Sequence, residues 1–211
     1  MTISERTTGL RSVLSSSLIY DLLQRALGAA RIRRVLVEDF LRPRAGQRVL
    51  DIGCGTAEIL KFMPPVDYVG FDPNPDYVEK ARARAGSGAQ IVCDRVSEVS
   101  LTQYRPFDLV IALFVLHHLD EAEARQLFTT AVRHLAPGGL LLTADPAFVP
   151  GQARTARFLI SRDRGAFVRD EAGYRALASA SGVSPVESTV RHDLLTVPYS
   201  HCILTYRKPG P

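Results

Sequence analysis

Residues 48–56, RVLDIGCGT, close a short apolar run with Asp51 and two glycines, and four later positions carry side chains able to act with them. Gly53 and Gly55, separated by Cys54, allow positive φ and leave room for a ligand to approach the backbone. Asp72 follows Asp51 by 21 residues, a separation from which a carboxylate in an α/β unit accepts hydrogen bonds from both hydroxyls of a ribose. Asp94 ends the run AQIVCD, where its oxygens can accept an exocyclic amine proton of an adenine. His117 and His118 close FDLVIALFVLHH and supply imidazoles suited to proton transfer near neutral pH. Each acid also has a plainer use: Asp72 can open the turn DPNP, and Asp94 can be a solvated cap.

The glycine spacing lacks the third glycine of a dinucleotide fingerprint, because Glu58 stands where it would fall, and no Gly-Lys-Ser/Thr follows. A nucleoside with a small polar tail therefore fits better than a pyrophosphate, although the βαβ pattern with an acid after its second strand leaves a nicotinamide-dependent oxidoreductase in play. Cys54, Cys93 and Cys202 are odd in number and contain no CxxC pair, so they read as buried reduced thiols with no metal site. Cys54 has no cation or base beside it in sequence to lower its pKa and reads as a small filler between glycines.

These residues need a scaffold that gathers strand ends. Apolar residues at three- and four-residue steps predict a helix over Val13–Leu27, and a second over Ala29–Leu41 stops before Pro43. Short apolar runs at 48–53, 67–72, 89–94, 107–116 and 138–145 read as strands, most ending in an acid or a glycine. Helical windows lie between them at Glu58–Met63, Pro75–Ala85 and Asp120–Leu135, the last with Asp120 and Glu123 spaced as a capping box. Strands apolar on both faces and alternating with helices imply a doubly wound α/β fold with a parallel sheet covered on both sides. The runs VSPVESTVRHDLL and YSHCILTYRK predict an antiparallel hairpin added to that sheet. The stretch before it is too long for a plain connection and contains a helix near Asp170–Ala180. The organisation expected is one domain: a helical cap over 1–42, a cofactor-binding core over 43–145, a lid or substrate insertion over 146–181 and the hairpin over 182–211.

At 211 residues, 46% hydrophobic and 23% charged, the chain can bury a full core. The sequence has no apolar run of the ~18 residues a membrane span needs. The polar start MTISERTT has no signal-peptide order, so a cytoplasmic location is expected. A net charge of +4 is spread over arginines offset by neighbouring acids, with no basic tract interleaved with aromatics, which argues against nucleic acid, although the cluster near Arg154 to Arg169 keeps that option open.

In their order, VLDIGCGTA, FDPN, VCD, FDLVIALFVLHHLD and LAPGGLLLTAD resemble the class I S-adenosylmethionine-dependent methyltransferases over roughly residues 30–145. The resemblance implies a Rossmann-like seven-stranded sheet, mostly parallel, with the antiparallel terminal strand inserted between the fifth and sixth. It implies S-adenosylmethionine as cofactor and S-adenosylhomocysteine as product. Asp51, Gly53, Cys54 and Gly55 would line the methionine portion, Asp72 with Pro73 and Asn74 the ribose, Asp94 and Arg95 the adenine, and Leu113 the sulfonium. Tyr20, on an amino-terminal helix, would reach the cofactor carboxylate. One of His117 and His118 could act as a base, since consecutive residues point to opposite faces, with structural hydrogen bonding carrying the larger share. His134, near a helix end, reads as structural, and His192 and His201 flank the hairpin without an assigned role.

Nucleic-acid and amine enzymes of that family often carry an Asn/Asp-Pro-Pro-aromatic motif after the fourth strand; ALFVLHH stands there in this sequence, which weighs against methylation of base or glutamine amino groups. The expected activity is methyl transfer to a small-molecule acceptor, a specialised metabolite, by in-line displacement driven mainly by positioning, in a monomer or homodimer. A repurposed cofactor-binding member, such as a cyclase, is the alternative.

Overall fold

The computed structural model describes residues 28–161, 165–184, 186–195 and 199–210. The helix expected over Val13–Leu27, and Tyr20 with it, lies outside them. The described residues form eight strands: β1 (Arg48–Ile52), β2 (Asp67–Phe71), β3 (Ala89–Val92), β4 (Phe107–Leu113), β5 (Leu135–Phe148), β6 (Arg169–Asp170), β7 (Glu187–Arg191) and β8 (His201–Arg207). The helices are α1 (Ala29–Val35), α2 (Pro75–Ala85), α3 (Glu98–Leu101), α4 (Glu121–Arg133), α5 (Arg154–Ser161) and α6 (Glu171–Ala180).

Seven strands form one path in the order β3-β2-β1-β4-β5-β8-β7, and the two-residue β6 pairs with β5 off that path. β1 to β5 are parallel, whereas β8 is antiparallel to both β5 and β7 and lies between them. Strand order reverses between β1 and β4, which opens the ligand crevice of such sheets beyond the carboxyl ends of those two strands.

The alternation of side chains explains why the central strands are apolar throughout. Leu50 and Ile52 of β1 and Val110 and Ala112 of β4 join a core with Leu127, Phe128 and Ala131 of α4 and Tyr174 and Leu177 of α6. Val49, Leu109 and Ile111 join the opposite core with Ile32 of α1 and Val78 and Ala81 of α2. Both faces are thus covered, as a parallel sheet requires.

Several boundaries differ from expectation, each with a local cause. The window at Glu58–Met63 is a 3₁₀ turn over Glu58–Phe62, because Met63 precedes Pro64 and is forced into extended backbone. α1 continues as a π-helical turn over Leu36–Leu41. β4 ends at Leu113 rather than 116, because Phe114 has φ +60° and Leu116–His118 forms a 3₁₀ turn. β5 runs on to Phe148, three residues into the stretch expected to be an insertion, and α5 is a helix that the sequence pattern did not announce. No helix among the described residues is long and apolar enough to cross a membrane.

α4 starts where its sequence says. Asp120 accepts a hydrogen bond from the Glu123 backbone N–H at 2.8 Å, and Glu123 accepts one from the Asp120 N–H at 3.2 Å. Asp120→Ala is expected to lower unfolding free energy by ~1 kcal/mol and Asp120→Asn by much less, read by urea denaturation. Equal losses would show that the cap oxygen does not matter.

Candidate active site

The loop after β1 is shaped by backbone conformations that few residues adopt. Gly53 has φ +73°, Gly55 +54° and Ala57 +53°. The Gly53 and Cys54 N–H groups both donate to the Phe71 carbonyl at the end of β2, at 2.8 and 3.0 Å. A Cβ on Gly53 would lie 2.5 Å from Cγ2 of Val115, so the loops after β1 and β4 meet there with no room for a side chain. A Cβ on Gly55 would meet nothing within 4 Å. That glycine borders open space at the reversal of strand order.

Asp72 binds this loop to the next. Its Oδ2 accepts from the Gly55 N–H and its Oδ1 from the Asn74 N–H, both at 2.9 Å. Asn74 in turn caps α2, accepting from the Asp76 and Tyr77 N–H groups, with Pro75 in the first turn. Asp72 thus opens the DPNP turn, and its second oxygen reaches across to the loop after β1. Burial raises the pKa of its carboxyl above the ordinary carboxylate value, against the pull of the two backbone donors. Pro73 is exposed.

Asp51 is buried, 3% exposed, and accepts a 2.5 Å hydrogen bond from the Tyr68 hydroxyl. Desolvation pushes its pKa up to about 7, the Tyr68 bond opposes this, and the neighbouring Asp72 adds to it. Burial, followed by the negative charge of Asp51 and Asp72, drives the Cys54 thiol well above its usual range, so Cys54 is an inert filler. Cys202 is also buried, but Cys93 is exposed, contrary to the expectation that all three thiols are buried. Cys93 sits just past β3. Asp94 is exposed and accepts from the Arg95 N–H at 2.7 Å, while the Arg95 guanidinium pairs with Glu123 at 3.0 Å. Leu113 is half-buried at the end of β4.

The two histidines after β4 differ in kind. His117 is 3% exposed, and Asp145 Oδ1 is 2.8 Å from its Nδ1 and accepts from its backbone N–H at 3.2 Å. An oxygen already accepting from a backbone N–H marks Nδ1 as the donor, which leaves Nε2 without the proton in the neutral ring. His118 is exposed, its ring 4.0 Å from that of His117. His134 ends α4 with Nε2 3.4 Å from Glu98, and His192 Nδ1 is 2.9 Å from the Ser200 hydroxyl. His201 is buried, edge-on to Phe114 at 5.9 Å.

Asp145, Gly165 and Arg169 belong to the site although their sequence positions were not singled out. A Cβ on Gly165 would lie 2.1 Å from the His117 ring, and the Phe167 N–H donates to the His117 carbonyl at 2.9 Å. Arg169 donates to the carbonyls of Leu116 and Leu119, both at 2.9 Å. The insertion is thus clamped onto the histidine turn. For Asp145, the available signal was an acid ending the fifth apolar run; for Gly165 and Arg169, nothing in the local pattern distinguished them.

Residues 49–139 match the family described as "Methyltransferase domain". The chain is 38% identical over 109 residues to "Probable tRNA methyltransferase 9B" of Mus musculus, covering 50% of this chain and 23% of that protein. It is 33% identical over 107 residues to "Ubiquinone biosynthesis O-methyltransferase" of Rhizobium rhizogenes, covering 49% and 42%. The fold is similar to that of a Haemonchus contortus phosphoethanolamine N-methyltransferase solved with phosphomonomethylethanolamine and S-adenosylhomocysteine, with TM-score 0.68, 16% identity and coverage of 97% and 61%. The chain spans less than half the length of the two curated relatives.

The raised pKa of Asp51 has a definite sign. Between its ordinary value of 3.8 and about 7 the folded protein holds a proton that the unfolded chain has released, so stability from this group falls as pH rises through that window. Asp51→Asn is expected to gain stability relative to the parent at pH 8 and to lose that advantage toward pH 4, measured by urea unfolding across the range. A pH-independent difference would place the Asp51 pKa at its ordinary value.

Proposed function

We propose that the chain is a class I S-adenosylmethionine-dependent methyltransferase, a reading supported by the methyltransferase-domain match over residues 49–139, and that it methylates a small-molecule acceptor, a specialised metabolite, by positioning rather than by strong acid–base chemistry. The observation that carries this reading is the Asp72 carboxylate tied to the Gly55 and Asn74 N–H groups beside open space at the β1/β4 reversal.

The residues present fit the cofactor. Each oxygen of Asp72 spends one lone pair on a backbone donor and keeps another for a ribose hydroxyl, so the loop need not come apart to bind a nucleoside. Gly53, Cys54 and Gly55 would line the methionine portion with Asp51 behind them, Pro73 and Asn74 would flank the ribose, Asp94 and Arg95 would meet the adenine, and Leu113 would stand beside the sulfonium. Tyr20 would reach the cofactor carboxylate from the amino-terminal helices. When bound, S-adenosylmethionine supplies a methyl on a sulfonium already activated for displacement. The chain's own work is then to align the acceptor and exclude water.

Of the two histidines, His117 is a positioning residue: Asp145 fixes its ring, Gly165 packs against it, and the exposed member of the pair is His118. The scattered arginines and the ALFVLHH segment after β4 favour a small acceptor over a nucleic acid.

Calorimetry tests the cofactor assignment. S-Adenosylhomocysteine is expected to bind and NAD not to bind, and Asp72→Ala is expected to cost more than ~1 kcal/mol of that affinity. Binding of NAD with none of S-adenosylhomocysteine would sink the reading. His118→Ala is expected to reduce turnover by about threefold, since positioning dominates; a loss of ~100-fold or more, the range for general bases, would establish proton transfer instead.

A further inference from the structure

The end of β5 and the start of α5 enclose an open cavity of about 340 Å³ lined by Phe148, Arg154, Arg157 and Phe158. β5 makes its last pairing with β4 at Ala144 and then runs four residues further, to Phe148, so the cavity lies past the carboxyl end of β4. Arg154, Arg157 and Phe158 are spaced by three and four residues and share a helix face, beside the fully buried Ala156. The Arg157 guanidinium lies over the Phe148 ring at 5.2 Å, and Phe158 is 57% exposed. Among the described residues neither Arg154 nor Arg157 forms a salt bridge.

We infer that this cavity is the acceptor site and that it takes a small acid: a carboxylate or phosphate joined to a flat apolar body of one or two rings. The inference rests on the methyltransferase reading above and names the substrate class. Two guanidinium groups remain cationic at all working pH values and present paired donors that match an oxyanion. A phenyl face stacked under one of them fixes its plane, and the exposed face of the other ring offers apolar contact to the remainder of the ligand. The volume stands at the small end of the ~300–1,000 Å³ range for ligand pockets, which limits the body to a compact molecule.

The test titrates the full chain, saturated with S-adenosylhomocysteine, with 2-naphthoate, 2-naphthyl phosphate and the neutral 2-naphthamide, by calorimetry. At least one anion is expected to bind ~10-fold or more tightly than the amide, and Arg154→Gln and Arg157→Gln are each expected to weaken that anion at least ~5-fold. Both substitutions are at exposed positions and should leave S-adenosylhomocysteine affinity within about twofold. Preference for naphthoate marks a carboxylic acid acceptor and preference for the phosphate marks a phosphate ester; either supports the site. Equal binding of amide and anions, no binding of any probe, or unchanged anion affinity in the double variant overturns it. Loss of S-adenosylhomocysteine binding to the parent chain with anion binding intact would instead remove the methyltransferase premise and leave the anion pocket standing.

Discussion

One carboxylate holds the candidate site together. Asp72 directly follows β2, yet its two oxygens are engaged by the loop that follows β1 and by the turn that begins α2. The three segments can therefore shift only together. The constraint at Gly53 acts in the same place: its φ of +73° and the 2.5 Å approach of Val115 leave no space for any side chain, so the β1 and β4 loops share one fixed contact. Strand-end chemistry in a parallel sheet is only as ordered as the loops that carry it, and here the order comes from one acid and one missing Cβ.

Burial of charge is the cost of this arrangement. Asp51 and Asp72 are both largely out of water, the charge of Asp72 raises Asp51 further, and the Tyr68 hydroxyl, the Arg33 charge and two backbone N–H groups act against their desolvation. A site of this kind gains by receiving a cation, because a positive ligand relieves the same repulsion that the apo protein must bear.

The sequence made the sheet legible because its strands are buried on both faces and so lack polar interruptions; Leu50, Ile52, Val110 and Ala112 fall on one side and Val49, Leu109 and Ile111 on the other, as alternation demands. Gly53, Asp72 and the histidine pair could be found because short-range pattern marks them. The Asp145–His117 bond spans 28 residues and the Arg169 contact with Leu116 spans 53, and no local periodicity encodes a partner at such separations. The two histidines illustrate the limit well: on an extended segment they would face opposite ways, but the chain turns at Leu116–His118 and brings their rings to 4.0 Å, and which one is buried is decided by Asp145 and by a glycine in the insertion.

The place of β8 in the sheet carries a consequence for how the protein reaches this form. β5 pairs with β8 along seven residues, from Leu140 with Arg207 to Pro146 with His201, and β7 joins the sheet only through β8. Until residues 201–207 arrive, β5 exposes a full row of unpaired amides and carbonyls, and the last contacts to form are among the most distant in sequence. Folding should be slow in its final step, and a chain halted before it would present an edge ready to pair with its neighbours.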